Sequence, residues 1–568
     1  MADEMEEIAM KLRALKAVAL GLAFAIGLVG CGGDPDNGSK GNTGDSGGST
    51  GSLTIAKPDG PITTQNNNPF VGDGSASRLS YSNVIYEPLA IVNLIDPSAE
   101  PEPWLAKEFQ WNDDYTSIEF TARDGVKWSD GKEFTAQDIA FTFELVKNSP
   151  ALDGANLGIK DVSADGDKVT VTFEKSVFVK VDKVLQRQIV PKHVWESVGD
   201  PVKFDNKEPV GTGPYKLSKF TSQSVELTAR DDYWKGTPAV ATLYYVSYND
   251  NTALTNALAS GDADWAQAFI PNVESAFLSK DKEHNRYWAP AGLGVDTMFV
   301  NATTKPFNDV AFRKAMNMVI DRAKHAEIAR EGSVPALMSV TGLPTPAGDA
   351  FIVDKYKNQE YKVDVDGAKK VLQDAGYTWD GNQKLLDPQG EAVTFKLSVP
   401  QGWNDYVTGI SLIADAAKAL GVEAALNTPD ADTWWEAKSK GEFQAILHWT
   451  DTGATPYDIY SDTMDGRWLK PVGEAADYNF GRFDSPEATK ALEAYATASN
   501  EDDRAAALAQ AQEIFVEEVP SMPVGTRPNI GVYNTRQFEG WPTQEDPYAV
   551  PDPTNVAVVL VLSKLKAA

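Results

Sequence analysis

Cysteine and histidine are scarce in this chain of 568 residues, which contains one cysteine and four histidines. A single cysteine excludes an internal disulfide and any metal site built from several thiolates. The histidines are scattered, and neither an HExxH motif nor a His/Cys spacing typical of zinc sites occurs. The sequence therefore predicts no metal and no cofactor.

Basic residues are also in short supply, with 52 Lys and Arg against 81 Asp and Glu, for a net charge of -29. Because nucleic-acid binding needs clustered cations on the phosphates, we exclude nucleic acid as a partner. Among so many carboxylates some pair would always suit a glycosidase, and no nucleophile–base motif supports catalysis. We expect a binding protein, not an enzyme, and keep a surface glycosidase and a sensor lipoprotein as alternatives of another class.

The apolar run Ala17 to Val29 is shorter than the roughly 20 residues that a spanning helix needs. It follows a basic start and predicts an export signal over residues 1–30, with Met10 as a possible true start because the residues before it are acidic. The run ends in Leu-Val-Gly-Cys, which resembles the lipobox of bacterial lipoproteins. The resemblance implies that Cys31 becomes the lipidated first residue and holds the protein on the outer face of the cell membrane.

Residues 31–52 are rich in Gly, Ser, Asp and Asn and predict a flexible tether behind the lipid. The rest of the chain combines strand-like and helix-like periodicity, which predicts an α/β protein with two lobes. The run Val556 to Leu562 predicts one more buried strand. The other predicted strands are Ser117–Arg123, Val169–Glu174, Ser224–Arg230 and Thr242–Tyr248, and the predicted helices are Val310–Ile320, Gly367–Asp374, Ile410–Leu420 and Glu501–Glu518.

Six segments, taken together and in order, resemble the family 5 extracytoplasmic solute-binding proteins, the oligopeptide- and dipeptide-binding group of ABC importers. They are IYEPL (85–89), PWLAKEF (103–109), WSDGKEFTAQDIAFTFE (128–144), GTGPYKL (211–217), PFNDVAFRKAMNMVIDR (306–322) and AKKVLQDAGY (368–377). The resemblance extends from about Leu53 to the C-terminus. It implies a two-lobed clamshell of the periplasmic-binding-protein kind (type II, large cluster C-like), with mixed sheets and an extra subdomain in the first lobe.

The implied division places residues 53–290 plus 530–568 in lobe 1, with a subdomain inserted at about 87–207, and residues 291–529 in lobe 2. The implied function is capture of short oligopeptides between the lobes and delivery to an ABC importer permease and, through it, to ATPase subunits. Some relatives bind oligosaccharides, which is the alternative ligand class. We expect a monomer anchored to the membrane by its lipid.

Ligand contacts are sought among tryptophans in polar, turn-like settings, since aromatic surfaces with a few polar groups are typical of binding clefts. Trp449 is the first choice, because it follows the strand-like FQAIL and precedes Asp451 and Thr452. The resemblance implies that an Asp in this segment pairs with a peptide's amino terminus, although Asp451 lies one residue closer to the tryptophan than in the family pattern. The other candidates are Trp403, Asn404, Trp265, Trp541 and Tyr86.

Overall fold

A computed structural model describes residues 50–568 with the exception of 59, 61, 73 and 98. The export signal, Cys31 and nearly all of the tether lie outside the described residues, so these predictions stay predictions. Within the described part of the chain, no helix is long and apolar enough to cross a membrane.

Six strands from the first half of the described chain and one from its C-terminal part form a mixed sheet of seven strands beside a large apolar core. Its central strand Thr50–Lys57 runs parallel to both of its neighbours, and the outer pairs are antiparallel. The strands lie in the order Asn285–Trp288, Gly531–Asn534, Trp265–Ala266, Thr50–Lys57, Val240–Ser247, Ser224–Ala229 and Tyr215–Phe220.

A mixed sheet of five strands lies between residues 291 and 528 and packs helices on both faces. The parallel strands Thr394–Ser398 and Ala445–Trp449 are neighbours, and antiparallel strands complete one edge. The order is Glu423–Asn427, Thr394–Ser398, Ala445–Trp449, Ala291–Val300 and Ser521–Pro528.

An antiparallel sheet of four strands forms the inserted part of the chain between residues 106 and 173. Its order is Ala106–Trp111, Ser117–Ala122, Lys168–Phe173 and Ile159–Asp165, and the helix Ala136–Asn148 packs on it. Three short pairs complete the strands: Ala90–Ile91 with Glu102–Pro103, Thr378–Trp379 with Leu385–Leu386, and Phe538–Glu539 with Lys566–Ala567.

Two short segments connect the seven-stranded and five-stranded sheets and lie side by side. Trp288 pairs with Gly531, Ala291 pairs with Pro528, and the Asn529 N–H donates to the Pro290 carbonyl at 2.9 Å. The two-lobed α/β architecture with mixed sheets is thereby confirmed. The exact residue division between lobes stays a prediction.

The glycines of GTGPYKL are required by a close approach of two backbones. A Cβ on Gly211 would lie 1.9 Å from the Ile85 carbonyl oxygen, and one on Gly213 would lie 2.3 Å from that of Val84. No side chain fits at such distances, so these positions hold the segment IYEPL against the start of the strand Tyr215–Phe220.

Apart from the predicted strand at Val556 to Leu562, the predicted strands and helices are present, with ends shifted by up to six residues. Ser485 caps the helix that follows it, as its side chain accepts the N–H of Ala488 at 3.2 Å. The helices are Ser75–Arg78, Ser82–Ile85, Ala136–Asn148, Val181–Leu185, Lys192–Trp195, Asn251–Ser260, Val273–Ala276, Val310–Val319, Arg322–Ile328, Val365–Asp374, Asn404–Lys418, Ala431–Lys440, Tyr457–Met464, Pro486–Thr497, Glu501–Glu518 and Val558–Lys564.

The prediction of a strand at Val556 to Leu562 is wrong, because this run contributes to the helix Val558–Lys564. All five residues from Val558 to Leu562 are buried in the apolar core that also contains residues of the seven-stranded sheet. A short, continuously apolar run has no periodicity that separates helix from strand. Packing against the surrounding core, not a local pattern, therefore determines the conformation of this run.

Candidate functional site

A cavity of about 700 Å³ lies where strands of both large sheets end. On the seven-stranded side it is lined by Lys57, Asn249 and Gln267, which end three neighbouring parallel strands or follow them within two residues. On the five-stranded side it is lined by Trp449, which ends the strand Ala445–Trp449, and by Trp403, which lies in the loop after the neighbouring parallel strand Thr394–Ser398. The carboxyl ends of parallel strands are where open α/β sheets bind ligands. We call this space the cleft cavity.

A second cavity of about 690 Å³ shares Trp435 and Trp449 with the first. Its charged side chains are mostly carboxylates, so we call it the acidic cavity. One cation, Lys438, lies among them, and burial lowers the pKa of its ammonium to about 8. The carboxylates on its wall are those of Asp153, Asp451, Asp462 and Asp477.

Three tryptophans with partly exposed rings line the cavities, Trp403 in the cleft cavity alone and Trp435 and Trp449 in both. Trp403 lies 5.5 Å from Trp449 and 6.0 Å from Trp435, measured between ring centroids. Each comes from a different element, since Trp403 precedes a helix, Trp449 ends a strand and Trp435 lies in the helix Ala431–Lys440. Rigid elements therefore hold a continuous aromatic surface that a ligand can cover.

A buried cluster of charged residues lies next to this aromatic surface, because the Tyr406 ring at its edge is 6.0 Å from the Trp449 ring. The guanidinium of Arg330 donates to Asp296 and to Asp405, and the Tyr406 hydroxyl donates to the second oxygen of Asp296 at 2.5 Å. These groups are all buried. A buried cation with two carboxylates and a hydroxyl in place ties the helix that follows Trp403 to the strand Ala291–Val300, whose Asp296 pairs in register with Trp449.

Asp451 is exposed in the acidic cavity and is held by two hydrogen bonds. Its backbone N–H donates to Asp462 at 2.5 Å, and the Tyr478 hydroxyl donates to its Oδ2 at 2.9 Å. Burial, followed by the charge of Asp451, raises the pKa of Asp462 well above its usual value. Among the described residues nothing donates to Oδ1 of Asp451, so this oxygen can accept a hydrogen bond from a cationic ligand.

The structure brings some of the predicted site residues together. Trp403 lines the cleft cavity, Asp451 lines the acidic cavity, and Trp449 lines both. Thr452 is half-buried, and its carbonyl accepts from Lys183 at 3.3 Å. Asn404 is exposed at the start of its helix but lines neither cavity.

Three other candidates belong to the core instead. Trp265 is 0% exposed and donates its indole N–H to the Pro551 carbonyl, and its ring lies 5.0 Å from that of Trp541. Tyr86 is also fully buried, with its hydroxyl bonded to Asn206. The turn-like sequences around Trp265 and Trp541 suggested exposure, but the two rings pack against each other in the core. We remove them from the candidate site.

Sequence reasoning missed several residues at the cavities. Trp435 follows Trp434 in a helix, and the sequence does not show which of two adjacent aromatic residues faces the core and which is exposed. Lys438 follows one turn later on the same helix and is buried with its ammonium 3.8 Å from the Phe480 ring. Among the described residues, no group of three or more His, Cys, Asp or Glu side chains is arranged to hold a metal.

Comparison with known proteins identifies the relatives of this chain. The family model for the bacterial extracellular solute-binding proteins, family 5 (middle region), matches residues 100–468. The probable peptide-binding protein YejA of Agrobacterium fabrum is 25% identical over 413 residues, which are 63% of this chain and 66% of the relative. The oligopeptide-binding protein AppA of Bacillus subtilis is 23% identical over 478 residues, covering 81% and 85%. The match to the Agrobacterium protein thus spans slightly less than two thirds of that relative.

Solved structures are similar over nearly the whole described chain. A periplasmic oligopeptide-binding protein of an ABC transporter from Thermotoga maritima, bound to mannohexaose, has a TM-score of 0.77 at 23% identity, covering 91% of this chain and 98% of that one. AppA from Bacillus subtilis with a bound nonapeptide has a TM-score of 0.70 at 20% identity, covering 92% and 99%. At this level of identity the likeness shows a shared two-lobed fold.

Proposed function

We propose that this chain, which belongs to the bacterial extracellular solute-binding proteins of family 5, captures short oligopeptides in its cleft and delivers them to the permease of an ABC importer. The observation that carries the proposal is the partly exposed aromatic surface of Trp403, Trp435 and Trp449 beside the carboxylate of Asp451. Such a surface covers apolar parts of a peptide, and the carboxylate suits its amino group. Relatives named as peptide-binding proteins support this ligand class.

The amino terminus of the peptide binds at Asp451. Tyr478 occupies Oδ2 and orients the carboxylate, which leaves Oδ1 for an ammonium donor. The neighbouring carboxylates of the acidic cavity favour a cation there. Asp451 therefore selects ligands with a free amine.

A neutral oligosaccharide is the second candidate ligand. The favouring observation is the number of tryptophan rings at the cavities, because sugars stack on aromatic faces. A relative in fold was solved with mannohexaose bound. An oligosaccharide would need no charged partner, so its affinity would depend little on Asp451.

The test is titration calorimetry with unblocked alanine peptides of two to six residues, the same peptides N-acetylated, and mannohexaose. We expect Asp451→Asn to weaken binding of an unblocked peptide by about 10- to 100-fold, the loss of one charged hydrogen bond, and acetylation to remove most of the difference between variant and parent. The matched control is Asp477→Asn, which removes the same charge from the same cavity. Equal effects of both substitutions would mean that the cavity's general field, not a specific pair, attracts the ligand. Binding of mannohexaose alone would favour the sugar.

The proposal includes a lipid anchor at Cys31, behind a signal sequence and before the tether. Its support is the order of basic start, apolar run and lone cysteine in the sequence. Delivery to a membrane permease is easier for a protein that is already confined to the membrane surface. We expect Cys31→Ala to move the protein from the membrane fraction to the medium or to leave it unprocessed, and normal processing with full membrane retention would contradict the anchor.

A further inference from the structure

A short segment of the inserted part of the chain is buried on both sides of the molecule. It follows the strand Lys168–Phe173 of the four-stranded sheet. The side chain of Val177 is buried in the core that also contains residues of the seven-stranded sheet. The side chain of Val179, two residues later, is buried in a different core, which includes residues of the helix Pro486–Thr497 on the five-stranded side. We call residues 175–183 the clasp.

The ring of Phe178 lies at the centre of this contact. It meets the Tyr495 ring of the five-stranded side edge-on, with ring centroids 5.9 Å apart, and lies 5.2 Å from the Tyr115 ring of its own side. The Cζ atom of Arg504, from the five-stranded side, stands 4.2 Å from the Phe178 centroid and 5.0 Å from that of Tyr115. Nε and Nη2 of this guanidinium are buried and have no hydrogen-bond partner among the described residues. The two aromatic rings therefore stabilise its charge.

The far end of the clasp reaches the loop that carries the exposed carboxylate of the acidic cavity. The Lys183 ammonium donates to the Thr452 carbonyl at 3.3 Å. A Cβ on Gly453 would lie 2.6 Å from Oδ2 of Asp458 and 3.6 Å from Oδ1 of Asp182. The loop is thus enclosed between the clasp on one side and the helix that carries Asp458 on the other.

The wall of the acidic cavity also comes from both sides. Residues 150, 153, 154 and 156 of the inserted part line it together with residues 435–480 of the five-stranded side. Part of this wall is lost when the two sides separate. The contacts of Val179, Phe178 and Arg504 favour the closed arrangement by themselves, because they are made between protein groups and need no ligand.

We propose that the clasp holds the two sides together without ligand and positions the loop of residues 451–453 for binding. The apparent affinity of a ligand scales with the fraction of molecules that are already in the binding-competent form. A contact that favours this form without touching the ligand therefore raises the affinity for every ligand by the same factor. The inference goes beyond the proposed function and does not depend on the ligand class.

The test combines small-angle scattering without ligand and titration calorimetry with unblocked trialanine and with mannohexaose. The full chain is produced as Cys31→Ala, so that no lipid is attached. The variants are Phe178→Ala, Arg504→Met, which keeps an apolar side chain, and Arg504→Lys, which keeps the charge. The matched control is Phe109→Ala, which removes a half-buried ring of the four-stranded sheet that packs against the core of its own side. Thermal unfolding verifies folding, and Phe178→Leu replaces Phe178→Ala if the latter does not fold.

Without ligand, Phe178→Ala should have a larger radius of gyration than the parent, and Phe109→Ala should match the parent. Phe178→Ala should weaken each ligand that binds the parent by one common factor of about 5- to 100-fold, the loss of an aromatic pair and a cation–π contact. Arg504→Met should show a smaller loss, and Arg504→Lys should restore most of it.

Reduced stability of Phe178→Ala with an unchanged radius and unchanged affinity would overturn the proposal, because the contact would then be a permanent part of the core. The same loss of affinity in Phe109→Ala would overturn it as well. If neither ligand binds the parent, the proposed function falls, and the radius without ligand alone decides whether the clasp exists.

Discussion

Adjacent tryptophans at positions 434 and 435 should have opposite roles, one in stability and one in binding. Successive residues of an α-helix point about 100° apart, so only one of the two can face the core. Trp434 is 1% exposed, whereas Trp435 is 37% exposed and lines both cavities. Replacing each by alanine therefore removes a similar side chain from two different environments.

The magnitude for Trp435 follows from its exposed surface. A tryptophan side chain has roughly 250 Å² to bury, so the exposed fraction corresponds to about 90 Å². If the ligand covers this surface, at about 25 cal/mol per Å² the contact contributes about 2 kcal/mol. Trp435→Ala should then weaken binding by about 30-fold. Trp434→Ala removes no surface that a ligand can reach and should cost about 3–5 kcal/mol of stability instead.

Titration calorimetry with the bound peptide and urea unfolding on the same preparations measure both quantities. Trp434→Phe, which keeps a ring in the core, is the fallback if Trp434→Ala does not fold. The affinity of the folded Trp434 variant should stay within about threefold of the parent, a difference of roughly 0.6 kcal/mol. Unchanged affinity in Trp435→Ala, or an equal loss of affinity in both variants, would refute the assignment of the exposed ring to ligand contact.

Two further predictions concern buried charge. Burial raises the pKa of Asp458 to about 7, although the charge of the nearby Lys183 opposes this shift. The unfolded chain loses this proton at a lower pH than the folded protein does, so the free energy of unfolding should fall as the pH rises from about 4 to about 7. In urea unfolding at several pH values, Asp458→Asn should reduce this pH dependence by at most about 1.4 kcal/mol per pH unit, and an unchanged pH dependence would contradict the raised pKa. Asp296→Asn should cost about 3–5 kcal/mol of unfolding free energy, because it leaves the charge of Arg330 incompletely paired in the interior. The control Asp354→Asn removes an exposed ion pair with Lys357 and should cost less than about 1 kcal/mol. Equal losses in the two variants would contradict this account.

Elements with a strong local pattern were predictable from the sequence. Alternation over Ser224–Ala229 gives a strand in which Val225 and Leu227 are buried and the residues between them are partly exposed, and the capping residue Ser485 marks the start of its helix. Asn500 does the same for Glu501–Glu518, whose bounds agree with the prediction. These features depend on neighbours along the chain. The apolar run at Val558 lacked such a pattern, and its helix is set by the core around it.

The polar part of the site was not predictable in the same way, because its partners are far apart in sequence. Arg330 meets Asp405 across 75 residues and Asp296 across 34. In the cleft cavity, Arg527 and Trp449 lie close together because their strands, Ser521–Pro528 and Ala445–Trp449, both pair with the strand Ala291–Val300 between them. No local rule connects these positions, and the large number of carboxylates in the chain made any single pairing uninformative beforehand.

Strand ends decide which tryptophans can serve a ligand. Trp265 and Trp449 both lie on strands that run parallel to a neighbour, yet Trp265 begins its strand and Trp449 ends one. The carboxyl ends of parallel strands open into the cleft, whereas the residues before them stay inside the sheet's core. Turn-like sequence surroundings are common to both residues and do not separate them. A tryptophan that directly ends a predicted parallel strand is therefore a better candidate for ligand contact than one that opens it, and by this criterion Trp449 keeps its place in the site while Trp265 does not.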